Sequence, residues 1–568
     1  MSDQIDIRSN SSSLALCLLL LILLTPVSII IFIKSKSTPK GSRFILYLLI
    51  IILNLNIWYL LLSEFQYNNE KIIKQINSPL SESIYDFSFK SFKVPGYSFI
   101  EAGNEYSSKD FKCSQVQFED TENIQSTRLF ELNKKQDLKI FRDQINKLRN
   151  KRKIYDVCFQ DGPNETEEEI LNTKWFKFCG SSVWLSKYNV HFMVHRIVYT
   201  KNAHRNGPTI SILAGQVFDK DWKELTGFKF PNSNLTFPTI LPHYIDAGRR
   251  KEKNVLGSED PRIILHEFIN SQGEQDQEPM IVFNSRRTDI NWNRAMHVYR
   301  PLHDSYKIVR LSINGKKRSF REKNWAPFMD PSAGTNNTIN FVYNFNPLRV
   351  VQCDVLSGEC NKISGPDFNK DANDNAGKLR GGTNIIQIDS KYLPEKVQDR
   401  LYWFGIARSH IESCGCLHEL YRPHAFIMSR PKNSQNFTLD YVSSLIDFNI
   451  SPEPWNDGEG VCSDGKSVLI PNSIAYWDAL PSSNNNNDGS AIDYMGLTVS
   501  EADKTNRMIH MKGWLSHIYK ILDGDRDTIK KHYNAEGFME SENLLLGECA
   551  TNLAQDYCRK SEKLMKWD

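Results

Sequence analysis

Residues 254–267, NVLGSEDPRIILHE, contain the side chains with the strongest case for chemistry. Glu259, Asp260 and Arg262 stand together, directly before the apolar run 263–265. Desolvation raises the pKa of a carboxyl group and a nearby guanidinium lowers it, so such a cluster can tune a general acid or base. The same residues could also form a salt bridge at a turn, because Asp before Pro commonly initiates one. The residues alone leave both interpretations open.

Two further groups could be interpreted as metal sites. The sequence HIESCGCLH contains His410, Cys414, Cys416 and His418, a possible zinc set. In an oxidising compartment these thiols would instead pair with distant cysteines. The Asp-Gly-Asp triplet 523–525 follows GWLSHIYKIL, a helical pattern, and is typical of a helix end. We therefore predict no metal ligands.

The elements that must position these residues are mainly strands. Short β-branched and aromatic runs recur from about residue 155 to 480, between Gly, Pro and Asn clusters. The absence of helical patterns between them excludes a doubly wound parallel sheet, which needs crossover helices. Sandwiches and barrels are alternatives, but so many short strands favour a β-propeller with four-stranded blades. No internal repeat is visible, so the blades cannot be counted from the sequence.

Helical patterns flank this region. The stretch 121–151 repeats apolar residues at helical spacing, namely Leu138, Phe141, Ile145 and Leu148. After about residue 500 a second pattern places apolar side chains on one face, namely Trp514, Ile518 and Leu522. Residues 482–488, SSNNNND, are predicted to be a low-complexity loop.

The N-terminus carries two apolar runs. Residues 14–33 contain no charge and are long enough to cross a bilayer, and residues 44–62 are nearly as apolar. The loop between them is basic, so we expect it in the cytosol and everything after residue 63 on the lumenal side. Whether the first run spans the membrane, is cleaved or lies on its surface stays open.

Sequons and cysteines agree with a lumenal body. Five sequons follow the anchor, at Asn164, Asn234, Asn336, Asn436 and Asn449. The chain has 11 cysteines, and all except Cys17 follow the anchor. Their even number predicts disulfides in an oxidising compartment. Cys353/Cys360 and Cys549/Cys558 are candidate short loops. The net charge of +3, without a basic run, gives no case for nucleic acid.

Several motifs resemble a known family. GSEDPRIIL resembles the active-site signature of the five-bladed β-propeller mannoside phosphorylases and hydrolases, in which the Asp of E-D-P-R is the catalytic carboxylate. Over residues 90–560 the chain is similar to the fungal β-mannosyltransferases of yeast cell-wall mannan synthesis. This similarity is carried by the N-terminal anchor and by EDPRIIL, RTDINWNRAMHVYRP, KNWAPF, LRGGTNIIQI and RSHIESCGCLHELYRPH.

The resemblance implies a reaction in the Golgi. Mannose would pass from GDP-mannose to a mannan or other mannoside acceptor, with inversion, to give a β-1,2 linkage. An inverting displacement needs a base for the acceptor hydroxyl and a means of stabilising the departing diphosphate. Asp260 matches the catalytic Asp and is predicted to be the base. Glu259 and Arg262 would orient it or contact the sugar.

The diphosphate should be bound by cations. The candidates are Arg286, Arg287, Arg294, Lys323 and Arg408 with His410. Trp292 could stack on a sugar or guanine beside Asn293, or fill the core, and Tyr421 and Arg422 would stand near the pocket rim. Gly381 and Gly382 allow close backbone approach, or form a hairpin turn. A site like that of the phosphorylases demands no metal, and stimulation by manganese stays open.

The predicted fold is mainly β, with a five-bladed β-propeller-like lumenal catalytic domain, flanking helices and an N-terminal transmembrane anchor. The predicted divisions are an apolar segment and basic loop (1–43), a signal anchor (44–62), a stalk (63–110), the catalytic domain (111–500) and a C-terminal helical segment (501–568). Two other functions are kept as alternatives, a lumenal mannoside phosphorylase or hydrolase and a non-catalytic mannan-binding propeller.

Overall fold

The computed structural model describes residues 59, 78–98, 113–119, 124–149, 161–203, 207–231, 233–242, 255–270, 272–302, 307–320, 322–331, 337–368, 378–414, 418–452, 468–480, 492–523 and 538–565. The chain divides into two compact units, Met1–Ser78 and Pro79–Asp568, and almost all described residues belong to the second. The predicted membrane runs lie outside the described residues except for Tyr59. In the described ranges, no helix is both long and apolar enough to cross a membrane.

Strands dominate the second unit, which confirms the prediction of a mainly β chain. Within the described residues they form five groups. The first group contains β6 (Trp175–Leu185), β7 (Val190–Tyr199), β8 (Ile210–Phe218) and β9 (Thr239–Ile240). The second group contains β10 (Leu256–Ile269), β11 (Gln275–Arg286), β12 (Arg294–Tyr299) and β13 (Ile308–Arg310). A short parallel pairing of β8 with β10 joins these two groups into one sheet.

The other three groups are separate sheets. The third contains β14 (Ser312–Ile313), β15 (Ala326–Phe328), β16 (Thr338–Phe345), β17 (Leu348–Asp354) and β18 (Glu359–Ser364). The fourth contains β19 (Leu379–Arg380), β20 (Ile386–Gln387), β21 (Arg400–Cys414), β22 (His418–Pro431) and β23 (Thr438–Ser443), together with β2 (Gly96–Ser98) and β3 (Gln117–Phe118). The fifth contains β24 (Leu469–Leu480), β25 (Ile492–Glu501) and β26 (Arg507–Lys512), together with β1 (Lys90–Phe92), β4 (Ile124–Ser126) and β5 (Phe130–Glu131).

One segment from each group meets its neighbours around a common centre. These inner segments are β6, β10, β15, residues 384–387 (which end in β20) and β24. Direct contact joins β10 to β15. The hydrogen bonds that join the others are Ile263 N to Ser181 Oγ (3.0 Å), Ser182 N to Ser473 Oγ (2.8 Å), Ile474 N to Asn384 Oδ1 (2.9 Å) and Ile385 N to Pro327 O (2.9 Å). The five groups are therefore linked in a closed ring.

N-terminal strands complete the two C-terminal groups. β2 pairs antiparallel with β23, and β4 pairs antiparallel with β26. Residues 78–98, which fall in the predicted stalk, thus contribute strands to the fold. At the other end, β25 and β26 continue past the predicted boundary at residue 500 as far as Lys512. Early and late strands of the second unit therefore share sheets, although no local sequence pattern relates them.

The helices of the described residues lie outside the strand groups. They are α1 (Lys135–Arg149), α2 (Glu167–Lys174), α3 (Trp514–Leu522) and α4 (Phe538–Met565), with short 3-10 helices at Glu82–Asp86, Cys113–Gln115, Thr288–Ile290, Ser390–Tyr392 and Glu395–Val397. The predicted start of the first helix at residue 121 was wrong, because the residues before α1 pair as β4 and β5. Its apolar face is confirmed, since Phe141 and Ile145 are fully buried.

The cysteines confirm one predicted pair and correct another. Cys353 and Cys360 form a disulfide across the β17–β18 hairpin. Cys549 is bonded to Cys113, so the predicted pair with Cys558 was wrong. Cys549 and Cys558 stand nine residues apart on the continuous helix α4, about 13 Å along its axis, which is too far for a disulfide. Cys558 is also disulfide-bonded, whereas Cys179 is a buried free thiol.

The described sequons lie at the surface. Asn164, Asn234 and Asn436 are exposed. Asn449 is exposed as well, but its Nδ2 lies 3.4 Å from the carbonyl oxygen of Lys90. Asn336 lies outside the described residues. Glycosylation of these sites stays a prediction.

Candidate active site

A bulge in β10 sets the position of Asp260. Glu259 pairs with Asn284 and Arg262 with Val282, so Asp260 and Pro261 together face one residue of β11. The backbone of Asp260 adopts a φ of 51°, in the left-handed region that Asp tolerates better than most residues. Its side chain keeps 20% of its surface exposed, so the carboxylate is reachable by a small ligand.

Arg196 on β7 binds both carboxylates of the motif. Its Nη1 lies 3.0 Å from Asp260 Oδ1 and its Nη2 lies 3.0 Å from Glu259 Oε2. Its Nε donates to Ser211 Oγ at 2.9 Å, and the guanidinium lies over the ring of Phe178. The planar fork of this arginine therefore holds Asp260 in one orientation.

Glu259 is occupied by two arginines. Besides Arg196, Arg294 donates to it through Nε (2.9 Å) and through Nη2 (3.1 Å). A buried carboxylate that is paired twice has little freedom to act on a substrate. Glu259 thus positions the arginines, while Asp260 retains an oxygen, Oδ2, that faces Asn284 Nδ2 at 3.5 Å.

Cations without a carboxylate of their own face Asp260. Arg262 donates to the carbonyl oxygens of Gly382 and Pro261, and Arg408 donates to Asn324 Oδ1 at 2.8 Å. Lys323 forms no hydrogen bond or ion pair with the described residues. Arg380, on the strand paired with Arg408, adds a guanidinium beside Arg408 and near Glu412.

The electrostatics follow from this excess of positive charge. Burial by itself would raise the pKa of Asp260, but Arg196, Lys323, Arg408 and Arg262 together hold it well below its usual range. Burial lowers the pKa of Arg262 to about 10, and the neighbouring Arg408 contributes to this shift. Burial also lowers the pKa of Lys323, although Asp260 opposes the change. An anion in this space would relieve the repulsion between the cations.

Cys179 lies beside these groups. It sits in a bulge of β6 with a φ of 52°, and its thiol is fully buried. Burial, together with the charge of Asp260, raises the pKa of the thiol to about 12. It is therefore a neutral thiol at physiological pH.

The turn after β11 places most of its predicted substrate-binding residues away from Asp260. Arg286 donates to the carbonyl oxygen of Trp292 at 2.9 Å, and Arg287 pairs with Asp289 at 3.0 Å. Trp292 packs against the apolar cluster that contains Phe141 of α1, so it fills the core. Asn293 stands partly buried in the same turn. Of this group, only Arg294 reaches the carboxylates.

The remaining predicted substrate-binding residues lie on two opposite sides of the β21–β22 hairpin. Tyr421 stacks on His410 at 4.7 Å and lies under the guanidinium of Arg408, so these residues extend the cationic side. Arg422 is buried against Tyr557 of α4, on the other side of the hairpin. Among the described residues, no cluster of His, Cys, Asp or Glu could hold a metal ion. The side chains of Cys414, Cys416 and His418 lie outside the described residues.

Three residues of the site had no role in the sequence prediction. They are Arg196, Asn284 and Arg380. A signal for Arg196 existed in the sequence, because it is the one Lys, Arg, Asp or Glu in the strand-like run VHFMVHRIVY, and the structure buries every residue of that run. A charge in such a strand is rare unless it is paired.

Comparison with known proteins gives the family. A family model described as beta-mannosyltransferases matches residues 112–300 and 291–557. Beta-mannosyltransferase 3 of Candida albicans is 50% identical over 528 residues, which cover 92% of this chain and 91% of that protein. Beta-mannosyltransferase 4 of Komagataella phaffii is 32% identical over 416 residues, which cover 72% of this chain and 75% of that protein.

Among solved structures, a GDP-Man-dependent mannosyltransferase from Leishmania mexicana, MPT-1, aligns over 60% of this chain and 86% of that chain, with 10% identity and a TM-score of 0.30. The sequence relatives carry the assignment. The chain belongs to the fungal β-mannosyltransferase family and is a mannosyltransferase.

Proposed function

We propose that this mannosyltransferase transfers mannose from GDP-mannose to a mannoside acceptor in β-1,2 linkage, with inversion, during cell-wall mannan synthesis. The observation that carries the proposal is the excess of buried cations facing one reachable carboxylate, Asp260. Uncompensated buried cations are costly unless an anionic ligand pairs with them. The diphosphate of a sugar nucleotide is such a ligand.

In the proposed reaction, Asp260 is the general base. It accepts the proton of the acceptor hydroxyl while that oxygen bonds to the anomeric carbon from the face opposite the nucleotide. The bond from this carbon to the phosphate oxygen breaks, and its electron pair leaves with GDP. Arg262, Lys323 and Arg408 stabilise the charge of the departing diphosphate. Bound diphosphate also offsets the cations that lower the pKa of Asp260, so the carboxylate is a stronger base when the donor is present.

The proposed architecture is a five-bladed propeller. The closed ring of inner segments and the groups of mostly antiparallel strands support it. The proposed location is the Golgi membrane, with the N-terminal anchor holding a lumenal catalytic domain. Disulfides support an oxidising compartment.

The reaction is tested by incubating the full-length protein in detergent with GDP-mannose and an α-mannan oligosaccharide. We expect GDP release and a longer product whose new anomeric centre is β by NMR. Asp260→Asn should lower kcat at least about 100-fold. It should also bind GDP about tenfold more tightly, because it removes a negative charge from among the cations.

The matched control is Asp367→Asn, whose side chain is 96% exposed and pairs only with Lys362 among the described residues. It should leave both quantities unchanged. Full activity in Asp260→Asn would remove Asp260 from the mechanism, and weaker GDP binding would remove the diphosphate from this cationic site. Phosphate-dependent release of mannose 1-phosphate from a β-mannoside would identify a phosphorylase. Hydrolysis is disfavoured, because the second carboxylate it needs, Glu259, is held by two arginines.

A further inference from the structure

A second cavity lies at the other end of the ring of inner segments. Its volume is about 780 Å³, within the range of ligand-binding pockets. It is lined by the later residues of the inner segments, including Trp184 of β6, Leu265 of β10 and Trp477 of β24. Leu265 stands five residues after Asp260 on the same strand, which is roughly 17 Å. The cavity is therefore separate from the candidate active site.

The two ends of the ring have opposite electrostatic character. Four cations surround Asp260 at one end. At the other end, all lining residues are described and none is Lys or Arg, while Glu267, Asp330 and Asp478 contribute carboxylates, of which Asp330 is paired with Arg430 behind the wall. An anionic occupant such as a nucleotide or phosphate would be repelled there. A neutral or cationic occupant fits this charge.

The walls combine aromatic rings with hydrogen-bonding groups. Trp477 is partly exposed and supplies a ring against which the apolar face of a sugar can pack, while Trp184 and Tyr476 are 9% and 5% exposed and form the wall behind it. Gln387 is exposed at the cavity and its amide forms no hydrogen bond with the described residues. His266 is 7% exposed, and its Nδ1 likewise has no partner in that part of the chain.

We propose that this cavity is an accessory binding site for a neutral oligosaccharide, namely a stretch of the mannan acceptor remote from the transfer site. An aromatic face, amides and carboxylate oxygens, with no Lys or Arg in the lining, form an arrangement suited to many hydroxyl groups. The choice of mannan rests on the proposed function, because it takes the occupant to be the acceptor. Binding at two sites would hold long acceptors more tightly than short ones.

Gln387→Trp in the full-length protein tests this site by filling its mouth. With saturating GDP-mannose, we expect the KM for a long α-mannan oligosaccharide to rise about tenfold. The KM for a short mannoside, the KM for GDP-mannose and kcat should stay within about twofold of the wild-type values, since Asp260 is remote. Gln117→Trp is the matched control, an exposed glutamine on β3 of the same strand group that does not line the cavity.

Calorimetric titration of the long oligosaccharide without GDP-mannose keeps the test independent of turnover. Loss of binding in Gln387→Trp but not in Gln117→Trp would support the site even if the proposed donor were wrong. Equal KM values in wild type and Gln387→Trp, together with unchanged binding, would overturn the proposal and leave a cavity that holds only water.

Discussion

At the scale of single residues, the guanidinium of Arg196 joins three side chains from two other strands. Its Nε binds Ser211 on β8, and its two Nη atoms bind Glu259 and Asp260 on β10. Ser211 in turn donates to the carbonyl oxygen of Ser258, just before the two carboxylates. Arg196 is thus a positioning residue for the proposed base.

Arg196→Lys should lower kcat about 100-fold with little change in the KM for GDP-mannose, because an ammonium group cannot span both carboxylates and the serine. Arg300→Lys is the matched control. Arg300 binds Glu278 through Nε and Nη2 at 2.8 and 2.6 Å, away from Asp260. Initial rates with both substrates varied separate kcat from KM.

Added guanidinium should restore part of the activity of Arg196→Ala, since the small cation can occupy the vacated space. Equal losses in Arg196→Lys and Arg300→Lys, or a failure of rescue in a folded Arg196→Ala variant, would indicate a purely structural role.

At the scale of elements, close backbone approach at Gly382 brings β10, β21 and β24 together. A Cβ at this position would lie 2.2 Å from the carbonyl oxygen of Ile406 and 3.0 Å from Pro471. The carbonyl oxygen of Gly382 accepts from Arg262 Nε. The glycine therefore sets the distance between neighbouring groups and also holds a cation of the site.

Gly382→Ala should destabilise the protein by about 1–3 kcal/mol, because the neighbouring backbone must shift. Gly547→Ala on α4 is the matched control. Its nearest atom would be 3.6 Å away, and an alanine within a helix should be neutral or stabilise by about 0.5–1 kcal/mol. Thermal unfolding of both variants measures the difference. An unchanged melting temperature in Gly382→Ala would show that the strand groups tolerate a wider spacing.

At the scale of the whole molecule, buried histidines make stability depend on pH. Within the described residues, burial lowers the pKa of six of them, namely His191, His195, His266, His297, His424 and His510. Each can take up a proton more readily when unfolded than when folded. Their contribution is complete above the unfolded pKa of about 6.5 and is lost as the pH falls towards the folded value.

We expect the free energy of unfolding to fall between pH 6.5 and about 4, the folded pKa of His424 and His510. Each such histidine contributes up to about 1.4 kcal/mol per pH unit. Asp493 opposes the trend, because burial raises its pKa to about 6 and its ionisation cost is relieved in acid. Denaturant unfolding at several pH values measures the slope, and His424→Asn should reduce it. A slope of zero over this range would contradict the account.

The fold and the site were predictable to different degrees. Strand composition identified a mainly β chain, and helical spacing identified the buried face of α1. The motif around Asp260 was recognisable because its residues are adjacent in sequence. Arg196 and Asn284 were missed because they reach Asp260 from other strands, and Arg380 because it stands beside Arg408 only through strand pairing.

The sequence by itself determined the strand-rich class, the family signature, the motif that contains the proposed base Asp260 and the Cys353–Cys360 pair, since each depends on residues close together in the chain. Tertiary structure alone decided the Cys113–Cys549 bond, the pairing of β4 with β26 and the partners of each cation. Arg422 turns towards α4 while Arg408 faces the site, although both lie on one hairpin. Alternate residues of a strand point to opposite faces, and only the packing of the other elements determines what each face meets.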